Sequence, residues 1–271
     1  MSITAGADEI LSMDYVSFMA LLREANRPPG GKHSVRWIAQ NAFLGPNKYV
    51  LEIGCNTGFT SIELAKTAGC RVLGVDVSQA AVAAASDHSK IAGLDKRVSF
   101  GVADACDLPF AEGEFDAVVT GGANAWIRQR ERALAEYWRV LKDWGFLCTV
   151  PFYYHSTPPD ELIAALNAQL GIQIQKWDRT FWCDLFEGAG FEPYCLQPEV
   201  PATVVSEKAL VDHASYMANK VVGPDQAELL AAVQRKVLSY WHLFNRNNQY
   251  LAYSCMIYRK RTVPPELTVF D

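Results

Sequence analysis

Short apolar runs alternate with amphipathic stretches along the middle of the chain. Runs of strand length occur at about 49–53, 71–76, 97–102, 115–120 and 145–151. Helical periodicity separates them at about 58–68, 79–92 and 128–142. Almost wholly apolar strands that alternate with helices are typical of a parallel sheet with helices on both faces. The pattern therefore predicts a doubly wound α/β fold.

Helical patterns also flank this core. Residues 11–25 and 34–43, the second with Ser34 as its N-cap, predict two helices that make an N-terminal helical cap over residues 1–45. The later elements are predicted as a helix from Thr157 as N-cap to Gly171, a helix at 179–189, a strand at 191–197, helices at 206–221 and 225–243, and a strand at 250–258. The predicted domain at 46–271 thus has a mostly parallel seven-stranded sheet, with helical inserts after strands five and six at about 152–178 and 200–248.

Composition removes several classes of function. The chain has 271 residues and a formal net charge of −5, and its one basic cluster is 259–261, which disfavours a nucleic-acid substrate. Its seven cysteines are scattered without a C-x-x-C pair, as expected for free thiols in a reducing compartment. Neither a signal peptide nor an apolar run of membrane-spanning length is evident, so we expect a cytoplasmic protein without membrane association.

A glycine turn between the first strand and its helix is the main candidate for chemistry. Residues 52–58 read Glu-Ile-Gly-Cys-Asn-Thr-Gly, and the next strand ends in Asp76. The dinucleotide fingerprint fails, because Asn56 and Phe59 stand where it needs glycine. No Gly-Lys-Ser/Thr run occurs, and no Lys or Arg lies between Lys48 and Lys66 to meet a phosphate. The turn and its acid therefore favour an adenosine without phosphates, carrying a sulfonium and an amino-acid tail.

Four motifs in order resemble the class I S-adenosylmethionine-dependent methyltransferases over residues 46–152. The glycine turn resembles their motif I, and Gly74-Val75-Asp76-Val77-Ser78 resembles their ribose-binding strand end. Residues 102–110 resemble the loop beside adenine. Residues 115–119 and 137–147 resemble strand four and the helix and strand that follow it.

The resemblance implies S-adenosyl-L-methionine as cofactor and S-adenosyl-L-homocysteine as product. Glu52 would orient the methionine ammonium, Asp76 would accept from the ribose hydroxyls, and Asp104 would face the adenine amine, with Asp107 as its rival or as the cap of the next turn. Ala105 would offer its backbone N–H to the ring. The full predicted set is Glu52, Gly54, Cys55, Asn56, Gly58, Asp76, Val77, Asp104, Ala105 and Thr120.

The acceptor side is less constrained by sequence. His155, just beyond strand five, is a candidate general base, and Tyr15 is a candidate to close the pocket from the N-terminal helix; Tyr153 and Tyr154 are expected as pocket walls. The Asp/Asn-Pro-Pro-Tyr/Phe motif of amide and exocyclic-amine methyltransferases is replaced by Thr120-Gly121-Gly122-Ala123, which disfavours those substrates. No carboxylate cluster of the metal-dependent catechol type is evident, so we expect no metal.

The leading hypothesis is a methyltransferase that acts on a small molecule in specialised metabolism, by in-line displacement onto O, N or C. Two alternatives stay open: a non-catalytic S-adenosylmethionine-binding regulatory or partner protein, and an aminopropyl-transferase-like relative. Homodimerisation through the N-terminal helices or the inserts is a further hypothesis.

Overall fold

The computed structural model describes residues 6–22, 27–171, 173–223 and 225–262. The chain divides into two compact units. We call 25–152, 179–199 and 253–271 the sheet unit, and 1–24, 153–178 and 200–252 the helical unit.

The elements follow one another in a βα alternation that gives way to helices. In chain order they are α1 (Ala7–Ser12), α2 (Tyr15–Leu22), α3 (Lys32–Asn41), β1 (Tyr49–Ile53), α4 (Phe59–Ala68), β2 (Arg71–Asp76), α5 (Gln79–Ile91), β3 (Val98–Val102), β4 (Phe115–Thr120), a 3₁₀ turn (Ala123–Ala125), α6 (Arg130–Val140), β5 (Leu141–Thr149), β6 (Phe152–Tyr154), α7 (Asp160–Leu170), α8 (Arg179–Gly188), β7 (Glu192–Leu196), β8 (Val200–Pro201), α9 (Glu207–Val221), α10 (Ala227–Asn248), β9 (Leu251–Tyr253) and β10 (Met256–Arg259).

A seven-stranded sheet in the order β3-β2-β1-β4-β5-β10-β7 forms the sheet unit. β1 to β5 pair in parallel, and β10 runs antiparallel to both β5 and β7. The strand order reverses at β1. The chain first adds β2 and β3 on one side of β1, and then adds β4 and β5 on its other side. Parallel α/β sheets bind ligands at such a switch point, outside the carboxyl ends of the strands. The turn after β1 lies at that point.

Helices cover both faces of this sheet. Val50 packs in one apolar cluster with α3 and α4 residues such as Ile38 and Leu64. Leu51, its neighbour, must point to the opposite face and is equally buried. On the face opposite that cluster, the Phe186 ring of α8 lies 5.2 Å from the Tyr258 ring of β10. The mostly parallel α/β sheet with helices on both faces is therefore confirmed.

The helical unit has its own apolar cores and a small sheet in the order β6-β9-β8. One core joins α1 and α2 to α9 and α10, with Phe18, Met217 and Val233 fully buried. A second core packs α7 against the end of α10 and includes Tyr154. Most residues of the predicted inserts at 152–178 and 200–248 belong to this unit, and α3, part of the predicted cap at 1–45, belongs to the sheet unit. The predicted domain boundaries stay a prediction.

Two N-terminal predictions are corrected. The helix expected at 11–25 is broken at Asp14, whose carboxylate accepts from the Ser17 amide and hydroxyl and so starts a second helix; residues 23–25 lie outside the described ones. Ser34 is not an N-cap. It lies inside α3, which follows Gly31, and its hydroxyl donates to the Pro29 carbonyl at 2.6 Å.

Three later boundaries also differ from the prediction. β5 starts at Leu141 rather than 145, through a polar stretch that the apolar pattern does not reveal. The strand expected at 250–258 is two strands, because Ser254 and Cys255 separate β9 from β10. Thr157 does not cap α7, which begins at Asp160 directly after Pro159.

Among the described residues, no helix combines the length and apolar character that crossing a bilayer requires.

Candidate active site

The turn after β1 holds its shape through its own backbone and one side chain. Cys55 N donates to the Val75 carbonyl at 2.9 Å, and Gly58 N donates to the Cys55 carbonyl at 2.8 Å. Asn56 has φ +45°, in the left-handed region predicted for it. Its side-chain oxygen accepts from Thr57 N at 2.8 Å, which explains why asparagine replaces glycine here.

Two glycines let this turn lie close to its neighbours. Gly54 has φ +69°, and a Cβ on it would come within 2.6 Å of the Ala123 Cβ. Gly58 has φ +86°, and a Cβ there would come within 2.7 Å of the Phe100 ring. Side chains at these positions would collide, so the turn needs glycine both for its dihedral angles and for space.

The Asp76 carboxylate is fixed at the end of β2 by backbone donors. Asn56 N donates to Oδ2 at 3.0 Å, and Ser78 N donates to Oδ1 at 2.9 Å. A carboxylate oxygen can accept about two hydrogen bonds, so each keeps a free acceptor site. Two acceptors in a fixed orientation beside a glycine turn fit the vicinal hydroxyls of a ribose.

Glu52 is the buried acid behind the turn, with 3 % of its surface exposed. Burial raises its pKa to about 7, and hydrogen bonds from Ser61 and Thr60 offset part of that rise. Ser61 N donates to its Oε2 at 2.9 Å, and the Ser61 hydroxyl donates to the same oxygen. A buried carboxylate of this kind ionises more readily when a cation lies nearby. The site thus suits a positively charged ligand.

Cys55 contributes no reactive thiol. Its side chain is buried, and desolvation, followed by the charges of Glu52 and Asp76, raises the pKa of the thiol far above its usual range. Cys55 takes part in the turn through its backbone N–H and carbonyl, and its Sγ donates to the Asn56 carbonyl at 3.7 Å.

Asp104 lies in the loop after β3 and stabilises it. Its Oδ1 accepts from Cys106 N at 2.9 Å, and Asp107 N donates to its carbonyl at 3.0 Å, so the choice between Asp104 and Asp107 as the adenine partner stays a prediction. Asp104 is exposed and Ala105 is buried. Val77 directly follows β2 and Val102 ends the neighbouring β3. They are 71 % and 55 % exposed, which gives an apolar surface beside Asp76.

Thr120, at the end of β4, is fully buried. Its hydroxyl donates to the Thr149 Oγ1 at 3.0 Å and accepts from the Asn124 Nδ2 at 2.9 Å. The Thr120 side chain therefore faces the protein interior, and a contact with the cofactor would come from its backbone.

The structure adds three residues that sequence reasoning missed. The Thr57 hydroxyl oxygen is buried without a hydrogen-bond partner, at the centre of the turn. His88 Nδ1 lies 2.9 Å from the Thr57 carbonyl, so this nitrogen must carry the proton and donate. The Arg27 guanidinium lies 5.4 Å from the centroid of Phe59, the first residue of α4.

The candidate acceptor residues lie in the helical unit. The His155 imidazole is exposed, and its backbone N donates to the Tyr250 carbonyl at 3.0 Å. The Tyr15 ring packs edge-on at 5.0 Å from Tyr240, and burial raises the pKa of its phenol. Tyr153 and Tyr154 are both buried, and the Tyr154 hydroxyl donates to the Asn247 Oδ1 at 3.1 Å. Their burial indicates core packing, and the pocket-wall role stays a prediction.

Within the described ranges, no group of three or more His, Cys, Asp or Glu side chains is placed to hold a metal ion.

A known family matches the part of the chain that carries this geometry. Residues 51–149 match the family described as a methyltransferase domain. That match runs from β1 to the end of β5 and includes the glycine turn, Asp76, Asp104 and Thr120.

Curated relatives extend the match. An uncharacterized protein of Haemophilus influenzae is 30% identical over 177 residues, which is 65% of this chain and 70% of that protein. Norajmaline N-methyltransferase of Rauvolfia serpentina is 37% identical over 112 residues, 41% of this chain and 38% of the enzyme. Methyltransferase GfsG of Streptomyces halstedii is 32% identical over 137 residues, 51% of this chain and 49% of that protein. The match therefore spans less than half the length of these two named methyltransferases.

Solved structures agree on the fold. The crystal structure of MccD protein has a TM-score of 0.77 and 26% identity, and the match covers 87% of this chain and all of that one. Geranyl diphosphate C-methyltransferase from Streptomyces coelicolor, in a complex with S-adenosyl-L-homocysteine, has a TM-score of 0.59 and 16% identity, over 85% of this chain and 76% of that one.

The sheet order, the glycine turn and the acid at the end of β2 define a Rossmann-like nucleoside-binding protein. Together with these matches they show that the chain belongs to the class I S-adenosylmethionine-dependent methyltransferases.

Proposed function

We propose that this protein transfers a methyl group from S-adenosyl-L-methionine to a small-molecule acceptor in specialised metabolism. The observation that carries the proposal is the Asp76 carboxylate, which two backbone amides hold beside the glycine turn with acceptor sites to spare. The named relatives support the acceptor class, because norajmaline and geranyl diphosphate methyltransferases act by name on small molecules.

In this proposal each residue of the site contacts one part of the cofactor. Asp76 accepts from the ribose hydroxyls, and Val77 and Val102 pack against the adenine, whose amine meets Asp104 and whose ring meets the Ala105 N–H. Glu52 balances the charge of the methionine ammonium, and Arg27 that of its carboxylate. The buried Thr57 hydroxyl and the N-terminus of α4 would offer further polar contacts to the methionine part of the cofactor.

The bound cofactor would supply an electrophilic methyl carbon on a sulfonium. The protein's part is to align donor and acceptor at about 3–3.5 Å and to exclude water. A phenol or alcohol acceptor needs a base, and His155 is the candidate. The raised pKa of Tyr15 keeps its phenol neutral at pH 7, so it is a poor base there. N, O and C acceptors remain open in this proposal.

The first test is native mass spectrometry with and without S-adenosylmethionine and S-adenosylhomocysteine. We expect one bound cofactor per chain, and absence of binding at saturation would overturn the proposal.

A second assay separates the alternatives by the nucleoside product. A panel of phenols, amines and acidic carbons is incubated with protein and cofactor. Methyl transfer releases S-adenosylhomocysteine. An aminopropyl transferase would instead release 5′-methylthioadenosine, and it would need decarboxylated S-adenosylmethionine as donor, which is supplied in a parallel incubation. Binding without turnover across the panel would support the regulatory alternative.

We also propose a cytoplasmic location and no nucleic-acid partner, which the free state of all seven cysteines and the acidic net charge support. Homodimerisation is kept as a proposal that light scattering tests, since a monomer mass across a range of concentrations would remove it.

A further inference from the structure

A buried polar network lies behind the loop that follows β4, and its centre is Asn124. The Asn124 Nδ2 donates to the Thr120 Oγ1 at 2.9 Å, and Thr120 in turn donates to Thr149. The Asn124 Oδ1 accepts from the Tyr137 hydroxyl at 3.2 Å. The network thus joins the ends of β4 and β5 to α6.

All four of these side chains are at most 5 % exposed. Their neighbours along β4, Ala117, Val118 and Val119, are apolar and fully buried. Polar groups therefore enter the core only at the carboxyl end of the strand, where ligands bind in this type of sheet. A buried network whose members are satisfied makes one arrangement rigid, and each unpaired member would be costly.

Arg130 holds the backbone of the same loop. The Arg130 Nε donates to the Asn124 carbonyl at 2.9 Å, and its Nη2 donates to the Ala125 carbonyl at 3.1 Å. Asn124 is therefore fixed through its side chain and through its backbone. The 3₁₀ turn that contains it is closed by a bond from Ala125 N to the Gly122 carbonyl at 3.2 Å.

Ala123, the residue before Asn124, is the contact between this loop and the glycine turn. Its Cβ lies where a side chain on Gly54 would collide, only 2.6 Å from the Cβ that such a side chain would have. β1 and β4 are neighbours in the sheet, with Ile53 opposite Thr120, so the two turns leave the sheet side by side. Whatever holds Ala123 in place thus limits how far the glycine turn can move.

We propose that Asn124 is a positioning residue for the methyltransferase reaction: it holds Ala123 against Gly54 and so keeps the glycine turn in the shape that binds the cofactor. This inference rests on the proposed function, since it takes the glycine turn as the cofactor site. Asn124 itself touches neither cofactor nor acceptor, and its effect passes through Ala123.

The experiment compares Asn124→Ala, Ala123→Gly and the double variant in steady-state kinetics, with S-adenosylmethionine as the varied substrate and a fixed, saturating concentration of an acceptor that the panel above shows to be methylated. Asn124→Ala should raise the KM for the cofactor about tenfold and leave kcat within about twofold. Ala123→Gly should raise the KM in the same direction, because it removes the contact itself. Asn124→Ala should add little in the Ala123→Gly background, since both act through one contact.

The control is Asn41→Ala, whose amide nitrogen donates to the Trp37 carbonyl of its own helix at 2.8 Å and whose amide oxygen accepts from the Cys195 thiol, outside the network around Asn124. Asn41→Ala should lower Tm without changing the KM.

Thr149→Val and Tyr137→Phe weaken the network at its two ends, and they replace Asn124→Ala in the experiment if that variant does not fold. An unchanged KM in the folded network variants, or a KM effect that adds fully to that of Ala123→Gly, would overturn the proposal. If the wild type fails to bind the cofactor by calorimetry, the proposed function has failed instead.

Discussion

At the scale of single residues, the ends of β1 and β2 hold two acids with opposite surroundings. Asp76 is partly exposed, and its carboxylate accepts from two backbone amides. Glu52 is buried, and its pKa of about 7 places its titration within the physiological range. The two acids should therefore respond differently to substitution.

Asp76→Asn keeps the shape of the side chain and removes its charge and one acceptor oxygen. Since the ribose would lose its two-oxygen acceptor, we expect the affinity for S-adenosylmethionine to fall about a hundredfold, about 2.7 kcal/mol. Titration calorimetry measures this directly. The control is Asp95→Ala, an exposed acid in the turn before β3, at the amino ends of the parallel strands, whereas Asp76 lies at a carboxyl end. Equal affinity of the Asp76 and Asp95 variants would refute the assignment.

Glu52 should make cofactor affinity depend on pH. Its carboxyl is mostly protonated below pH 7 and ionised above it, so binding of the cationic methionine tail should strengthen as pH rises through about 7. Calorimetry between pH 6 and 8 checks the slope. Glu52→Gln should flatten it, because the amide has no charge to gain. A slope retained by the variant would show that another group is responsible.

The same group links stability to pH. Unfolding returns the Glu52 pKa from about 7 to its ordinary value near 4.5, so between these values the folded protein holds more protons than the unfolded chain. The contribution of Glu52 to the free energy of unfolding is therefore full below pH 4.5 and is lost as pH rises to 7, a fall of about 3 kcal/mol at most. Urea denaturation of wild type and Glu52→Gln at pH 5 and 8 measures the difference.

At the scale of elements, local pattern predicted the glycine turn well. β1, its turn and β2 are contiguous, and their buried runs and special backbone angles leave a clear trace in the sequence. The break at Asp14 was missed because one hydrogen-bonded carboxylate decides it. His88 was missed because its partner, the Thr57 carbonyl, lies 31 residues away in the sequence. Periodicity carries no information about such contacts.

Asn56 combines a left-handed backbone conformation with a side-chain bond to Thr57 N, and two substitutions separate these effects. Asn56→Gly removes left-handed strain but also the bond to Thr57 N, so we expect a change in unfolding free energy within about 1 kcal/mol and retained cofactor binding. Asn56→Val places a β-branched side chain at φ +45° and should cost about 2 kcal/mol and weaken binding. Denaturation curves measure the unfolding free energy of both variants, and calorimetry measures their affinity for the cofactor. Equal stability and equal affinity of the two variants would contradict this role of Asn56.

At the scale of the whole molecule, the helical unit is closed by a contact between the two ends of its sequence. The buried Lys236 ammonium donates to the Leu11 carbonyl at 2.7 Å and to the Met13 carbonyl. These carbonyls lie at the end of α1, where helices leave acceptors without partners. One side chain of α10 thus satisfies the end of the N-terminal helix.

Lys236→Met should free these carbonyls while keeping most of the apolar volume. Because bonds to a charged donor contribute about 1.5–3 kcal/mol each, we expect loss of hydrogen-exchange protection in α1 and α2, with β1 to β5 unchanged. Lys208→Met is the control, since its pair with Asp212 is exposed. Protection lost equally in the sheet, or kept in α1 and α2, would contradict this role.

The contact between Lys236 and Leu11 spans 225 positions of the chain, and this has a consequence for synthesis. A ribosome adds about 5–20 residues per second, so α1 and α2 wait roughly 10–45 s for their partner helix. During that interval Phe18 and Leu22, fully buried in the finished protein, have nothing to cover them. A nascent chain halted before α10 should therefore be a preferred client of chaperones that recognise apolar segments, and should lose that preference once residue 248 has emerged.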